Sequence, residues 1–196
     1  MAGNEAAVEG DRRVRRTRRA LQEALVGLIV ERGFEKITVQ DVLDRADVGR
    51  STFYAHYHDK EALFAACFDD LRADLERELA ALTAGGPPPD PTRPIGVIFE
   101  HAHRNQRVYR AVCGRSGDTT GTRQLHALLR ASLTGHLTEA GTRLPVALVV
   151  EYHASALAGV LVWWVRQDFP YGPAEVARMC QEMTTAGVMA AFNSPG

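Results

Sequence analysis

Cysteine is scarce in this chain and poorly placed for cross-linking: Cys67, Cys113 and Cys180 are odd in number, far apart and form no Cys-x-x-Cys pair. A disulfide framework is therefore not expected, and reduced thiols filling a core are. A dominant charge is missing too. Charged residues make up 24% of the 196 residues, yet the formal net charge is only -1, so no global field commits the protein to nucleic acid or membrane. Any such commitment must be local. The first residues, "MAGNEAAVEGD", carry acidic groups and no apolar core behind a positive segment, which argues against a secretory signal or transit peptide and for a cytoplasmic location. The longest apolar segment, Leu144 to Val165, approaches the length of a membrane span but is interrupted by Glu151 and His153. A mid-span glutamate is costly in lipid, so a helix buried in a protein bundle or a dimer is expected there, with no membrane contact.

Strand-like alternation is also lacking, whereas helical spacing recurs throughout. Leu21, Leu25, Leu28 and Ile29 mark a first helix over 12–32 that stops at Gly33. Thr38 opens a second helix with Asp41 three residues on, a capping-box-like start, and Val39, Val42, Leu43 and Ala46 supply its buried face. Asp47 tolerates a left-handed conformation and Gly49 almost any, so a tight corner is expected between Ala46 and Arg50. A short third helix then places Phe53 and Tyr57 at i and i+4 inside, leaving Arg50, Ser51, Tyr54 and His58 outside.

Asp59 caps a long fourth helix whose apolar stripe runs from Leu63 to Leu79, and the loop "TAGGPPPDPTRP" follows. Further helices are expected at about 94–104, 106–113, 122–140, 145–168 and 173–192, with a joint at "GRSGDTTG". The fold class is all-α. The expected organisation is an arm over 1–11, a three-helix DNA-binding domain with a helix-turn-helix over 12–60, and a helical ligand-binding and dimerisation domain over 61–196.

Two short helices joined by a tight corner form the unit that sets its second helix into the DNA major groove. The side chains agree with that geometry. Arg50 can read guanine bidentately, Ser51 or Thr52 can meet base edges or phosphate, and Tyr54, His56 and Lys60 are donors suited to backbone oxygens. Upstream, "RRVRRTRR" packs six arginines into one short run, which beside such a corner adds phosphate or minor-groove contacts.

The run "GFEKITVQDVLDRADVGRSTFYAHYHDKEALF" resembles the DNA-binding domain of the TetR/AcrR family of bacterial transcriptional regulators. The likeness rests on Gly33-Phe34 ending the first helix, Thr38 capping the second, Thr52-Phe53-Tyr54 in the recognition helix and Asp59-Lys60-Glu61 opening the fourth. Asp47 and Gly49 depart from the glycine and serine frequent at those positions, which puts the angle of the third helix in question. The resemblance implies base or groove contacts from Gln40, Arg50, Ser51 and Thr52 and phosphate contacts from Thr38, Tyr54, His56 and Lys60. It further implies a homodimer through the last two helices, a palindromic duplex operator and a small-molecule effector that shifts the fourth helix to release a repressor.

Phe99, His103, Tyr109, Tyr152 and Trp163 are the candidate pocket residues among the middle helices. The adjacent Trp163 and Trp164 must point different ways, one into the core. Catalytic residues, a metal and a cofactor are not expected. His101 and His103, two apart, do not share a helical face, and "GRSGDTTG" lacks both the lysine of a phosphate loop and the spacing of a nucleophile elbow. Two rivals remain: a helical small-molecule enzyme or carrier, and a nonspecific chromosome-associated protein.

Overall fold

The computed structural model describes residues 2–84, 92–113, 119–136 and 144–192. Those residues form α1 (Ala2–Arg32), a 3-10 turn (Phe34–Lys36), α2 (Val39–Ala46), α3 (Arg50–Tyr54), α4 (Lys60–Thr83), α5 (Arg93–Arg104), α6 (Gln106–Cys113), α7 (Thr119–His136), α8 (Val146–Arg166) and α9 (Pro173–Phe192). The fold is all-α, with no strand among the described residues. Two compact units divide after Asp70, not after Lys60 as the sequence suggested. The first turns of α4 explain the shift, because Leu63, Phe64, Cys67 and Phe68 are buried before that boundary. The expected arm is also different, since Ala2 to Asp11 continue α1; alanine and glutamate, frequent there, favour helix.

In the first unit α1 packs on α2. The core gathers Leu21, Leu25 and Leu28 of α1, Ile37, Val42 and Leu43 around α2, and Phe53 and Tyr57. Gly33 ends α1 at φ 81, a left-handed value that a side chain would resist, and its N–H donates to the Ile29 carbonyl at 2.8 Å.

In the second unit α8 packs on α6, α7 and α9, and α5 lies against α9. The inner face of α8 runs through Val150, Ala154, Leu157, Leu161 and Trp164 at helical spacing. This helix is long and apolar enough to cross a membrane by length and composition alone. Glu151, the residue that made such a span unattractive, has a partner within the protein: His126 of α7, whose Nε2 lies 3.3 Å from its carboxylate. The turn after α8 puts Asp168 and Phe169 at φ 60 and 58, a left-handed pair without glycine. Packing holds it there. The Phe169 ring meets Trp164 at 4.7 Å, and Arg110 covers that ring at 4.9 Å while donating to Asp168 at 2.7 Å.

Of the expected connections, 85–91 and 114–118 lie outside the described residues, as does the expected end of the seventh helix beyond His136. Residues 119–121 open α7 instead of belonging to the joint. All three cysteines are buried free thiols, and burial pushes Cys67 and Cys113 up to about 12 and Cys180 to about 11. They are not thiolate nucleophiles at neutral pH.

The interior of the second unit also holds charge-capable groups. His101 is fully buried and shares a hydrogen bond of 3.1 Å with the Tyr109 hydroxyl. Burial holds His101 below the ordinary imidazole value, with Glu78 and Asp74 opposing and Arg104 adding; burial does the same to His153. A depressed native value means that the unfolded chain takes up the proton first, so stability is full above about pH 6.5 and is lost on acidification below it. Thermal melts from pH 7 to pH 5 are therefore expected to show a falling Tm, with a shallower fall in His101→Gln. An identical slope in that variant would assign the loss to other groups.

Candidate nucleic-acid interface

The helix-turn-helix is built by local capping. Thr38 accepts the Asp41 N–H at 3.2 Å while its own N–H donates to the Asp41 carboxylate at 2.8 Å, a complete capping box. The Thr38 hydroxyl, which donates to the Asp41 carboxylate at 2.6 Å, and then the Thr38 N–H hold Asp41 below the ordinary carboxylate value, and Arg32 reaches the same group at 3.2 Å. Arg45 adds a two-pronged pair to Glu31 of α1 at 2.9 and 2.7 Å. One flank of α2 is thereby tied to α1, and Gln40 and Asp44 stand exposed.

At the corner Asp47 occupies the left-handed region, φ 51 and ψ 49, as its side chain allows, and its N–H returns to the Leu43 carbonyl. Gly49 behaves differently from expectation. Its φ of -67 suits any residue, and a Cβ there would meet nothing within 4 Å, so the corner does not need its freedom.

Helix α3 has only five residues, shorter than its sequence pattern suggested. Phe53 is wholly buried and Tyr57, just beyond the helix, nearly so. Arg50, Ser51, Thr52 and Tyr54 are all exposed, which leaves a polar outer face at the amino-terminal end. Arg50 and Gln40 are brought together: an Arg50 Nη2–H donates to Gln40 Oε1 at 2.7 Å. A second bond extends the chain, from Gln40 Nε2 to Asp44 Oδ1 at 2.7 Å.

Other sequence candidates are placed less simply. Thr38 is exposed but committed to its cap. His56 is half-buried with its ring 6.3 Å from Tyr57, whereas His58 is exposed beside Asp59. Lys60 is the clear departure. Its ammonium turns inward, donating to the Phe34 and Ile37 carbonyls at 3.1 and 3.0 Å and lying 4.5 Å from the Phe34 ring centre. Two of three donors are spent on the turn before α2, a role that sequence spacing could not reveal.

Within the arginine run, Arg12, Arg13, Arg15, Arg16, Arg18 and Arg19 are all exposed along α1. Arg18 also donates through Nε to the Tyr57 hydroxyl at 3.2 Å, which raises its already high pKa, and so braces the end of the recognition segment.

The second-unit candidates do not form one group. Phe99 and Tyr109 are fully buried, and His103 stacks on Trp164 with ring centres 6.1 Å apart. Tyr152 and Trp163 are 67% and 45% exposed, so the expectation that they line an interior pocket with the others is corrected. They occupy the face of α8 opposite its core residues, while Trp164 is the buried member of the tryptophan pair. His101 and His103 diverge likewise, and no cluster of three or more metal-ligating side chains occurs among the described residues.

The profile of bacterial regulatory proteins of the TetR family matches residues 21–67, over the whole helix-turn-helix, and one for transcriptional regulator C-terminal regions matches 92–186. The chain belongs to the TetR family. An HTH-type transcriptional regulator of Bacillus subtilis strain 168 is 44% identical over 66 residues, which is 33% of this chain and 17% of that longer protein. A TetR transcriptional regulator from Streptococcus agalactiae is 27% identical with a TM-score of 0.68, covering 90% of this chain and 98% of its own. The fold is also shared with FadR of Bacillus subtilis, solved in complex with stearoyl-CoA, at 16% identity and a TM-score of 0.65 over 86% of this chain and 97% of FadR. The family match at 21–67 takes in α2, the corner and the exposed face of α3.

Removing the inward lysine tests the placement of Lys60. Lys60→Met keeps much of the stem but loses both carbonyl bonds, and is expected to cost about 2 kcal/mol of stability in urea unfolding. Unchanged stability, with DNA binding lost, would return Lys60 to a pure phosphate role.

Proposed function

We propose that this TetR-family regulator is a dimeric repressor that reads a roughly palindromic duplex and is released by a small-molecule ligand. The observation that carries the reading is α3 itself, which buries Phe53 and presents Arg50, Ser51, Thr52 and Tyr54 together with Gln40. Arg50 supplies base readout, Ser51 and Thr52 groove contacts, and Tyr54 and the remaining Lys60 donor phosphate contacts. The exposed arginines of α1 add a salt-sensitive hold on the backbone.

Dimerisation supplies the second half-site, since two recognition helices must meet major grooves about 34–36 Å apart. The exposed apolar side chains of the last two helices, Leu148, Tyr152, Trp163 and Met183, suit a four-helix interface between two copies. An acyl-CoA is a reasonable first ligand to test, given the bound stearoyl-CoA of the related FadR fold. A ligand favouring the non-binding state about a hundredfold supplies roughly 2.7 kcal/mol per site, enough with two sites to empty most of an operator.

Selection of bound sites from random duplexes is the decisive experiment. A two-fold-symmetric consensus supports the repressor reading; a steep salt dependence without a footprint favours the nonspecific alternative, and indifference to DNA with turnover of a metabolite favours an enzyme. Arg50→Ala is expected to relax preference at one base position by about 1–3 kcal/mol, against equal losses on all duplexes if Arg50 only meets phosphate. Leu148→Glu combined with Trp163→Glu is expected to give a folded monomer by sedimentation with much weaker operator binding. A variant that remains dimeric would move the interface elsewhere.

A further inference from the structure

We infer that Asp44 is a positioning residue for sequence readout: through Gln40 it aims the Arg50 guanidinium at guanine, and Gln40 serves as a buttress and not as a base reader. The inference rests on the DNA-reading assignment of α3 made above. Its basis is the three-residue chain across the corner, in which Arg50 Nη2–H meets Gln40 Oε1 and Gln40 Nε2–H meets Asp44 Oδ1, both at 2.7 Å.

Each amide end of Gln40 is engaged. To read adenine, a glutamine must offer Oε1 to the base N6 and Nε2 to N7, and here the bonds to Arg50 and Asp44 turn both atoms toward the protein, leaving one lone pair and one N–H beyond them. Arg50 has donors to spare. It carries five N–H groups in a rigid fork, so one bond to Gln40 still leaves enough for bidentate contact with guanine O6 and N7.

Asp44 decides which way the amide faces. An ionised carboxylate only accepts, so it draws the NH2 end of Gln40 toward itself and leaves the carbonyl end toward Arg50. Without it, the reversed amide would set donor against donor and release the guanidinium. The same carboxylate stands exposed on α2, one helical turn from Gln40, where its charge opposes the approach of phosphates. Removing it should therefore raise general affinity for DNA while lowering discrimination, a pair of opposite changes that neither a folding defect nor a lost phosphate contact produces.

The test uses the full chain. Sites are selected from random duplexes, the guanine lost from the consensus of Arg50→Ala is located, and affinities are compared for the selected duplex and for one with A·T at that position. Asp44→Ala is expected to lower that affinity ratio about tenfold, within the range that one bidentate base contact supplies, and to strengthen binding to unselected DNA. Asp44→Asn, which keeps an acceptor for Gln40 but loses the charge, should retain most of the ratio. Asp44→Ala should change the ratio no further in a Gln40→Ala background, and the Tm of each variant should match the parent.

An unchanged ratio in Asp44→Ala, equal losses in the Asn and Ala variants, or losses that add to those of Gln40→Ala would each overturn the relay. A parent protein that selects no duplex would overturn the DNA-reading assignment and the relay with it. A selective parent whose preference ignores Asp44 overturns the relay alone.

Discussion

A helix of five residues has no stability of its own, because one turn fixes too many dihedral angles for the hydrogen bonds it closes. The reading surface therefore exists only because Phe53 is fully buried and Tyr57, four residues on, is nearly so. Those two rings determine which side of α3 faces outward. The i and i+4 spacing that inserts them into the core leaves Arg50, Ser51 and Tyr54 no inward position. Arg18 and the turn before α2 reinforce the arrangement, the first through the Tyr57 hydroxyl and the second through the carbonyls that Lys60 binds. Rigid presentation matters for recognition, since a base contact worth a few kcal/mol is lost when its donor is free to wander.

Local rules were enough to read much of this from the chain. Thr38 and Asp41 form a capping box because each partner lies within one turn of the other, and Asp47 goes left-handed because its side chain permits it. Burial of Phe53 follows from spacing, and Tyr57, past the helix end, keeps its register through the N–H it donates to the Phe53 carbonyl at 2.9 Å. The inward bonds of Lys60 were not legible for the opposite reason: its partners at Phe34 and Ile37 are separated from it by the whole helix-turn-helix, and no periodicity encodes that contact. The same holds for Arg18 and Tyr57.

Helix α8 shows a second limit of sequence patterns. Its apolar residues cover more than one face, so hydrophobicity cannot separate the side that packs within the chain from the side left for another molecule. Tyr152 and Trp163 were therefore grouped with Phe99 and Tyr109 as pocket candidates, while the fold puts the first pair outward and the second pair inside. Chain neighbours such as Trp163 and Trp164 had to diverge, but only the packing of Phe99 and His103 of α5 against Trp164 settles the direction.

The net charge of -1 bears on how such a protein would find one site among many. Nonspecific affinity for a duplex comes from neutralised phosphates, and a strongly basic chain would hold all sequences well. In the first unit the exposed positive charge includes the arginines of α1, Lys36, Arg45 and Arg50, while Asp44 and Asp47 are exposed around the corner itself. Acidic groups beside a reading helix weaken every complex in which the adjacent donors fail to find their base, because repulsion remains when the compensating contact is missing. Discrimination is a difference between affinities, and lowering the competing one is as effective as raising the favoured one. On the proposed reading the corner joins both contributions within a few residues: Arg50 would supply attraction that depends on the base, and the nearby carboxylates repulsion that does not.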